Sequence, residues 1–455
     1  MARTGATQAA KAGEYGRSAM TRLSALVGER SLFDNDAYRR LWLARVLSGI
    51  PVNAVVYTML ILVVNATGKS FFSSLFVVAY IAPTALLGAV SGVLVDRMPK
   101  GIVLAGANAV RAGLCVLLAL STDDVVIIYI IAVLFAVGSQ FSGPAEGAAL
   151  PAVVQPEEYV AANSVNNLGS LIAQILGLVL LPAVFLKTVG APPLALLCAA
   201  MFAGAAVIFV SIEGLGGAVS NMHVSIDETR ERFAEAWHRL TQDSMAYISV
   251  VILVLANTTG LVVATLMPRY AGKVLGVSAE NVIFVAAPAA VGIWLAMRIV
   301  SNLSGRISPW WTVGGSFAAM LGCVTLLGFV GPLGDGLQSL NPFGIFEPGP
   351  FGETSARIII SSVLGPVLAF SFTFVNIVAR TIVNERIPRE MQGRVLAAQS
   401  VLTNLASIPP ILLTGFLADV VGVQPVFFVV AVGCGLLALY YAARNLAMPQ
   451  PVGYR

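Results

Sequence analysis

The chain has 455 residues, of which 57% are hydrophobic and only 11% charged, with a formal net charge of +4 and a mean hydropathy of +0.85. A soluble protein cannot bury so large an apolar share and still cover itself with polar groups, so a water-soluble domain, a disordered chain, a coiled coil and a secreted disulfide scaffold are all excluded. What remains is an all-α, polytopic membrane protein, because a spanning helix needs about 20 mostly apolar residues.

The first 40 residues hold Arg3, Lys11, Arg17, Arg22, Arg30, Arg39 and Arg40 but no apolar core with a small-residue cleavage site. They read as a cytoplasmic tail rather than a cleavable signal peptide. Met20, Leu23 and Val27 share a helical face near Arg17, Arg22 and Arg30, which admits an interfacial helix as the alternative. Apolar runs follow at 41–65, 71–95, 101–121, 125–149, 160–187 and 191–213. A polar stretch, 214–243, then carries Asp227, Glu228, Arg230, Glu231 and Arg232. Six further runs lie at 244–268, 280–302, 308–331, 356–384, 392–418 and 424–446, before a short tail, 447–455. The expected organisation is therefore two six-helix bundles, 41–213 and 244–446, joined by a cytoplasmic linker. The Gly- and Pro-rich stretch 332–355 reads as an outer loop without regular structure, with a lid as the sharper alternative.

Orientation follows from the basic residues. With the N-terminus inside, cytoplasmic loops hold Arg97, Lys100, Arg230, Arg232, Arg239, Arg306, Arg386, Arg389, Arg394, Arg444 and Arg455. The outer loops hold only Lys69, Lys187, Arg269, Lys273 and Arg357. This bias predicts both termini in the cytoplasm. The expected location is the plasma membrane, as a multi-pass protein of a bacterial inner membrane.

Aqueous chemistry finds no support. Cys115, Cys198, Cys323 and Cys434 lie in apolar runs and read as small buried hydrophobes, and His223 and His238 match no usual zinc spacing. No metal, no cofactor and no nucleic-acid partner is expected, and the reading is not an enzyme. Val63–Ser70 ends like a phosphate-binding loop, but its leading glycine is absent and no strand precedes it. Sequons at Asn65, Asn257 and Asn302 read as chance, and Trp310-Trp311 as an interfacial anchor.

The halves resemble each other. Pro156-Glu157-Glu158 precedes the fifth run and Pro388-Arg389-Glu390 the eleventh, half a chain later. Parallel duplication of a six-helix unit is a transporter signature, with sites near the midplane. Gly92-Val-Leu-Val-Asp96-Arg97-Met-Pro-Lys100, between the second and third runs, resembles the G-x-L-a-D-R-x-G-R-[KR] loop of the major facilitator superfamily, with Pro99 replacing the second glycine. The second half keeps only Ser301-Asn-Leu-Ser-Gly305-Arg306, without the acid. Tyr38-Arg39-Arg40-Leu-Trp42, Gly138–Ala145 with Leu150-Pro151, Gly393-Arg394-Val395 and Gly415-Phe-Leu-Ala-Asp419 resemble the branch holding macrolide-type drug efflux proteins, siderophore exporters and lysophospholipid flippases.

This resemblance implies alternating access, with gating at Gly92, Asp96, Arg97, Lys100, Gly393 and Arg394, and with Arg380 as a gate residue or substrate contact. Spans 1, 4, 7 and 10 line the cavity in this family, which singles out Asn53, Tyr57, Gln140, Asn257 and Asn376. Arg111, near mid-depth in the third run, reads either as a group attracting an anionic substrate or as a structural arginine. Glu146 is the lone carboxylate within the helical body of the first half, and reads either as a proton carrier or as the partner of Arg45 or Arg97. Asn53 stands where proton-driven relatives often carry an aspartate. The expected function is secondary export of small amphipathic organic compounds by a monomer in contact with membrane lipid, with protons as the candidate coupling ion. Lipid flipping and a non-transporting scaffold are the alternatives.

Overall fold

A computed structural model of the chain describes residues 32–215, 240–277, 288–303, 309–339, 355–387 and 389–446. The described residues are helical between short turns, with no strand among them. In chain order they form α1 (Asp36–Thr67), α2 (Ser70–Asp96), α3 (Lys100–Leu120), α4 (Val125–Val153) and α5 (Tyr159–Gln174). A π-helical turn, Ile175–Leu180, joins α5 to α6 (Leu181–Thr188), and α7 (Ala191–Val210) follows. The second half has α8 (Ser244–Tyr270) with a π-helical end, Ala271–Leu275, then α9 (Ala289–Leu303), α10 (Pro309–Gly328) and α11 (Val330–Ser339). It closes with α12 (Ser355–Arg386), α13 (Arg389–Val421) and α14 (Val423–Leu446).

Among the described residues, ten helical stretches are long and apolar enough to cross a membrane, and two shorter apolar helices, Ser70–Thr84 and Ala289–Val300, accompany them. In lipid each backbone polar group must find a partner within the protein, which is why every span is helical. Proline is kept inside these helices at Pro51, Pro83, Pro144, Pro151, Pro268, Pro366, Pro409 and Pro410. Tight punctuation comes from glycine: Gly68 (φ 64°) ends α1 and Gly422 (φ 88°) ends α13, so α2 and α14 begin within two residues. At the start of α8 the Asp243 carboxylate accepts from the Met245 and Ala246 N–H groups, both at 3.0 Å, as an N-cap.

The helix α11 corrects the expectation for 332–355. Residues 332–339 are helical, and Asp335 pairs with Arg357 at 2.6 Å while Arg357 also donates to the Val274 carbonyl. Pro332 sits in the first turn, where a missing N–H costs nothing. Residues 340–354 lie outside the described residues, as do the N-terminal stretch 1–31, most of the central polar stretch (216–239) and the end of the chain (447–455).

Two compact units are distinguished. The first comprises 1–57, 90–120 and 137–222. Its core gathers Tyr38, Leu41 and Trp42 of α1 with Leu104 of α3, Ala145 and Ala149 of α4, Ala162 and Val165 of α5, and Phe209 of α7. Here α3 packs along α7, and α1 is pinned to α5 by Tyr38 Oη donating to the Ala162 carbonyl (3.2 Å) and Trp42 Nε1 to the Val165 carbonyl (3.1 Å). The second unit comprises 58–89, 121–136 and 223–455. Its core runs through α8, α10, α12, α13 and α14 and includes Ile81 of α2.

Candidate functional site

In the first unit the polar groups within the spans form a short series. Arg45 Nε of α1 lies 3.3 Å from Glu146 Oε2 of α4, each side chain about a quarter exposed (25% and 26%). Arg97, the other candidate partner, is placed just past the C-terminal end of α2. Arg111 of α3 is 4% exposed, donates to Ser139 Oγ at 2.9 Å, and holds its guanidinium 5.9 Å from the Phe202 ring. A buried guanidinium needs such company, since a charge at bilayer depth is costly. Gln140 and Tyr57 are half-buried. Asn53 donates to the Gly49 carbonyl at 2.9 Å, one turn back along α1. Its Cβ would lie 2.9 Å from a Cβ at Gly177, where the π-helical turn crosses α1.

In the second unit two of the sequence candidates meet. Asn257 of α8 donates to Asn376 Oδ1 of α12 at 3.1 Å, and each amide also donates to the carbonyl one turn earlier, Leu253 and Phe372. The neighbouring Thr258 bonds Ser407 of α13 at 2.7 Å, and Thr259 donates to the Cys434 sulfur of α14 at 3.4 Å. Three successive residues of α8 thus reach three different helices, beside Leu253, Ala256, Val375 and Ala379 of the unit's apolar core.

The gate candidates divide. Lys100 Nζ donates to the Val95 and Met98 carbonyls, at 2.8 and 3.2 Å, closing the C-terminal end of α2 as a cation does at a helix C-terminus. Arg380 is exposed on α12. Gly92 and Asp96 lie in α2, and Gly393 and Arg394 in α13; the side-chain surroundings of these four positions lie outside the described residues.

One cluster escapes the sequence candidates. The Asp419 carboxylate of α13 accepts from the Ser70 N–H (2.8 Å) and the Phe71 N–H (2.9 Å) at the start of α2, and pairs with Arg269 of α8. By sequence Arg269 reads only as an outer-loop charge and Asp419 as the end of the Gly415-Phe-Leu-Ala-Asp419 motif. The signal that could have found them is Gly415, one turn before Asp419, since a small residue there allows another helix to approach.

Multiple apolar helices of membrane-spanning length, with buried polar groups between them, define a multi-pass membrane protein. The sequence pattern of the family described as Major Facilitator Superfamily matches residues 41–409, and the chain belongs to that superfamily. It is a transporter family, so the protein stands among transporters rather than enzymes. Similar solved structures include a point-mutant form of the nucleoside transporter NupG (TM-score 0.68, 14% identity, covering 90% of this chain and 99% of that one). A bacterial homologue of the iron transporter ferroportin in an inward-facing state is also similar (TM-score 0.67, 15% identity, 92% and 100% covered). A third is a point-mutant form of the peptide transporter POT in complex with sulfate (TM-score 0.65, 12% identity, 90% and 94% covered). At these identities the likeness establishes the shared fold. No curated protein matches the chain by sequence.

Proposed function

We propose that the protein exports small amphipathic organic compounds by alternating access, with residues 41–213 and 244–446 acting as its two moving halves. The reading rests on the superfamily membership and on one observation above all: the half-buried Asn257–Asn376 amide pair beside an apolar core. Amides offer donors and acceptors without fixed charge, which suits a lipophilic solute carrying a few polar groups better than a sugar or a metal ion. Asn53, Tyr57 and Gln140 on α1 and α4, with Arg111 on α3, complete the proposed substrate contacts. Arg97, Lys100 and Arg380 join Gly92, Asp96, Gly393 and Arg394 in the proposed gating set.

Glu146 is the acid available for proton exchange in this scheme. In the structure Glu146 pairs with Arg45, the other role its sequence position offers, and that partner favours the charged carboxylate; proton exchange therefore requires the pair to open as the helices move. The basic-residue asymmetry supports placing both termini in the cytoplasm, and the proposed location is the bacterial inner membrane.

Overexpression in an efflux-deficient bacterial host tests the reading. Accumulation of a lipophilic dye falls, and Asn257→Leu or Asn376→Leu restores it to the vector-only level at unchanged membrane abundance. Unchanged dye accumulation across a broad panel refutes export, and movement of fluorescent lysolipid in reconstituted vesicles then assigns the protein to lipid transfer. Substrate-induced proton flux in those vesicles is lost in Glu146→Gln if Glu146 carries the proton.

A further inference from the structure

The start of α2 is held by side chains far away in the sequence. The first four N–H groups of a helix have no partner within it. For α2 two of them, Ser70 and Phe71, are satisfied by the two oxygens of Asp419, which lies 349 residues from Ser70. The carboxylate is 17% exposed and its partner Arg269 is 21% exposed, so both ends of the pair reach the edge of solvent. Negative charge is favoured at this end of a helix, and the guanidinium holds the carboxylate in place.

Packing agrees with the polar contacts. A Cβ on Gly415 would run into Ser74 Oγ, lie 2.6 Å from Ser74 Cβ and 3.1 Å from the Ser70 carbonyl oxygen. Ser70, Ser73 and Ser74 are sealed from solvent, at 1%, 2% and 0% exposure. The backbones of α2 and α13 therefore approach as closely as a glycine against serines allows. Further along α2, Val77, Val78, Tyr80 and Ile81 belong to the same apolar core as Ile411, Leu417 and Ala418 of α13. On another side, Tyr129 of α4 donates to the Phe72 carbonyl at 2.5 Å.

We propose that Asp419, with Arg269, latches the outer ends of α2, α8 and α13 together as a releasable outer gate. This rests on the transporter reading and names a device within it. The chemistry suits a contact that must open and close. When the ends are together, two N–H groups, a carboxylate and a guanidinium satisfy one another. When they part at the membrane surface, water solvates all of them, so neither state strands a buried charge. The glycine–serine seam beneath the latch is smooth enough to separate and re-form without interlocking side chains.

The test uses the full chain in lipid nanodiscs, with Cys115, Cys198, Cys323 and Cys434 replaced by serine and spin labels on Lys69→Cys and Val421→Cys. Both label sites are exposed, and they flank the latch. With Asp419 present, pulsed electron–electron distance measurements show a dominant short separation. In Asp419→Ala the ratio of separated to closed molecules rises on the order of tenfold, and Arg269→Gln moves it in the same direction by less. Asp419→Asn keeps the side-chain volume and decides the matter should the alanine variant fail to fold. A monodisperse Asp419→Asn protein with an unchanged distance distribution overturns the latch. The measurement needs no substrate. Failure of the dye assay with shifted distances removes the export reading alone, whereas unchanged distances with working export remove the latch alone.

Discussion

Glu146 and Arg45 show what a charge inside a span requires. With each side chain about a quarter exposed, the pair is neither a surface ornament nor a fully desolvated bridge. Glu146→Gln leaves Arg45 without its carboxylate and lowers the unfolding temperature in detergent by a few degrees. Arg45→Gln does the same, and the double variant loses less than the two losses combined, with a coupling of about 1–2 kcal/mol in a double-mutant cycle. The amide pair behaves differently. Asn257→Leu removes a hydrogen bond worth about 0.6 kcal/mol between membrane helices. It thus leaves thermal stability near the parent value while abolishing dye export, a split that separates a substrate contact from structural glue. At this scale the family resemblance singles out Asn257 and Asn376, because it places spans 7 and 10 on the cavity, and the structure adds that the two amides meet. Asp419 stands out as the end of the Gly415-Phe-Leu-Ala-Asp419 motif and not as a contact, because its partners are remote in the chain.

Helices meet where side chains are absent. A Cβ at Gly292 of α9 would run into the Pro366 carbonyl of α12 and lie 2.7 Å from its carbonyl carbon, and one at Gly177 would run into the Ile50 carbonyl of α1. Neither obstacle is the mobile end of a side chain, so whole helices must shift. Gly292→Ala and Gly177→Ala therefore each reduce the yield of monodisperse protein severalfold in fluorescence-detected size exclusion. Gly314→Ala, with open space around it, leaves the yield unchanged. The spans themselves were legible in the sequence because runs of apolar residues of membrane length have few other uses. Helix α11 was not, because Gly331, Pro332, Gly334 and Gly336 carry the composition of a loop. Its helicity is fixed by tertiary contacts: the Asp335–Arg357 pair, and an approach so close that a Cβ on Gly334 would lie 2.5 Å from Arg357 Cγ.

For the whole molecule, apolar content decided the class and the superfamily pattern over residues 41–409 decided the family. Orientation is a prediction at this scale. A green fluorescent protein fused after Arg455 fluoresces, and a cysteine at Lys69 reacts with a membrane-impermeant maleimide added to intact spheroplasts. Dark fusions with unreactive Lys69→Cys would invert the assignment. Chain order hides the grouping of the second unit, in which residues 58–89 and 121–136 belong with 223–455. Hydropathy reports where the chain enters and leaves the membrane, whereas that grouping depends on contacts such as Asp419 with Ser70, which carry no local pattern.

The same contact sets a timetable for synthesis. Asp243 caps α8 from the adjoining residue, so that helix start is complete as soon as its own first turn emerges. The start of α2 must wait for a carboxylate that the ribosome adds 349 residues after Ser70, a delay of about 20–70 s at roughly 5–20 residues per second. Throughout that interval α2 resides in the membrane with two N–H groups that only water or lipid headgroups can serve. A nascent chain arrested before Asp419 is therefore the form most exposed to membrane proteases, and the addition of α13 is the step that ends the exposure.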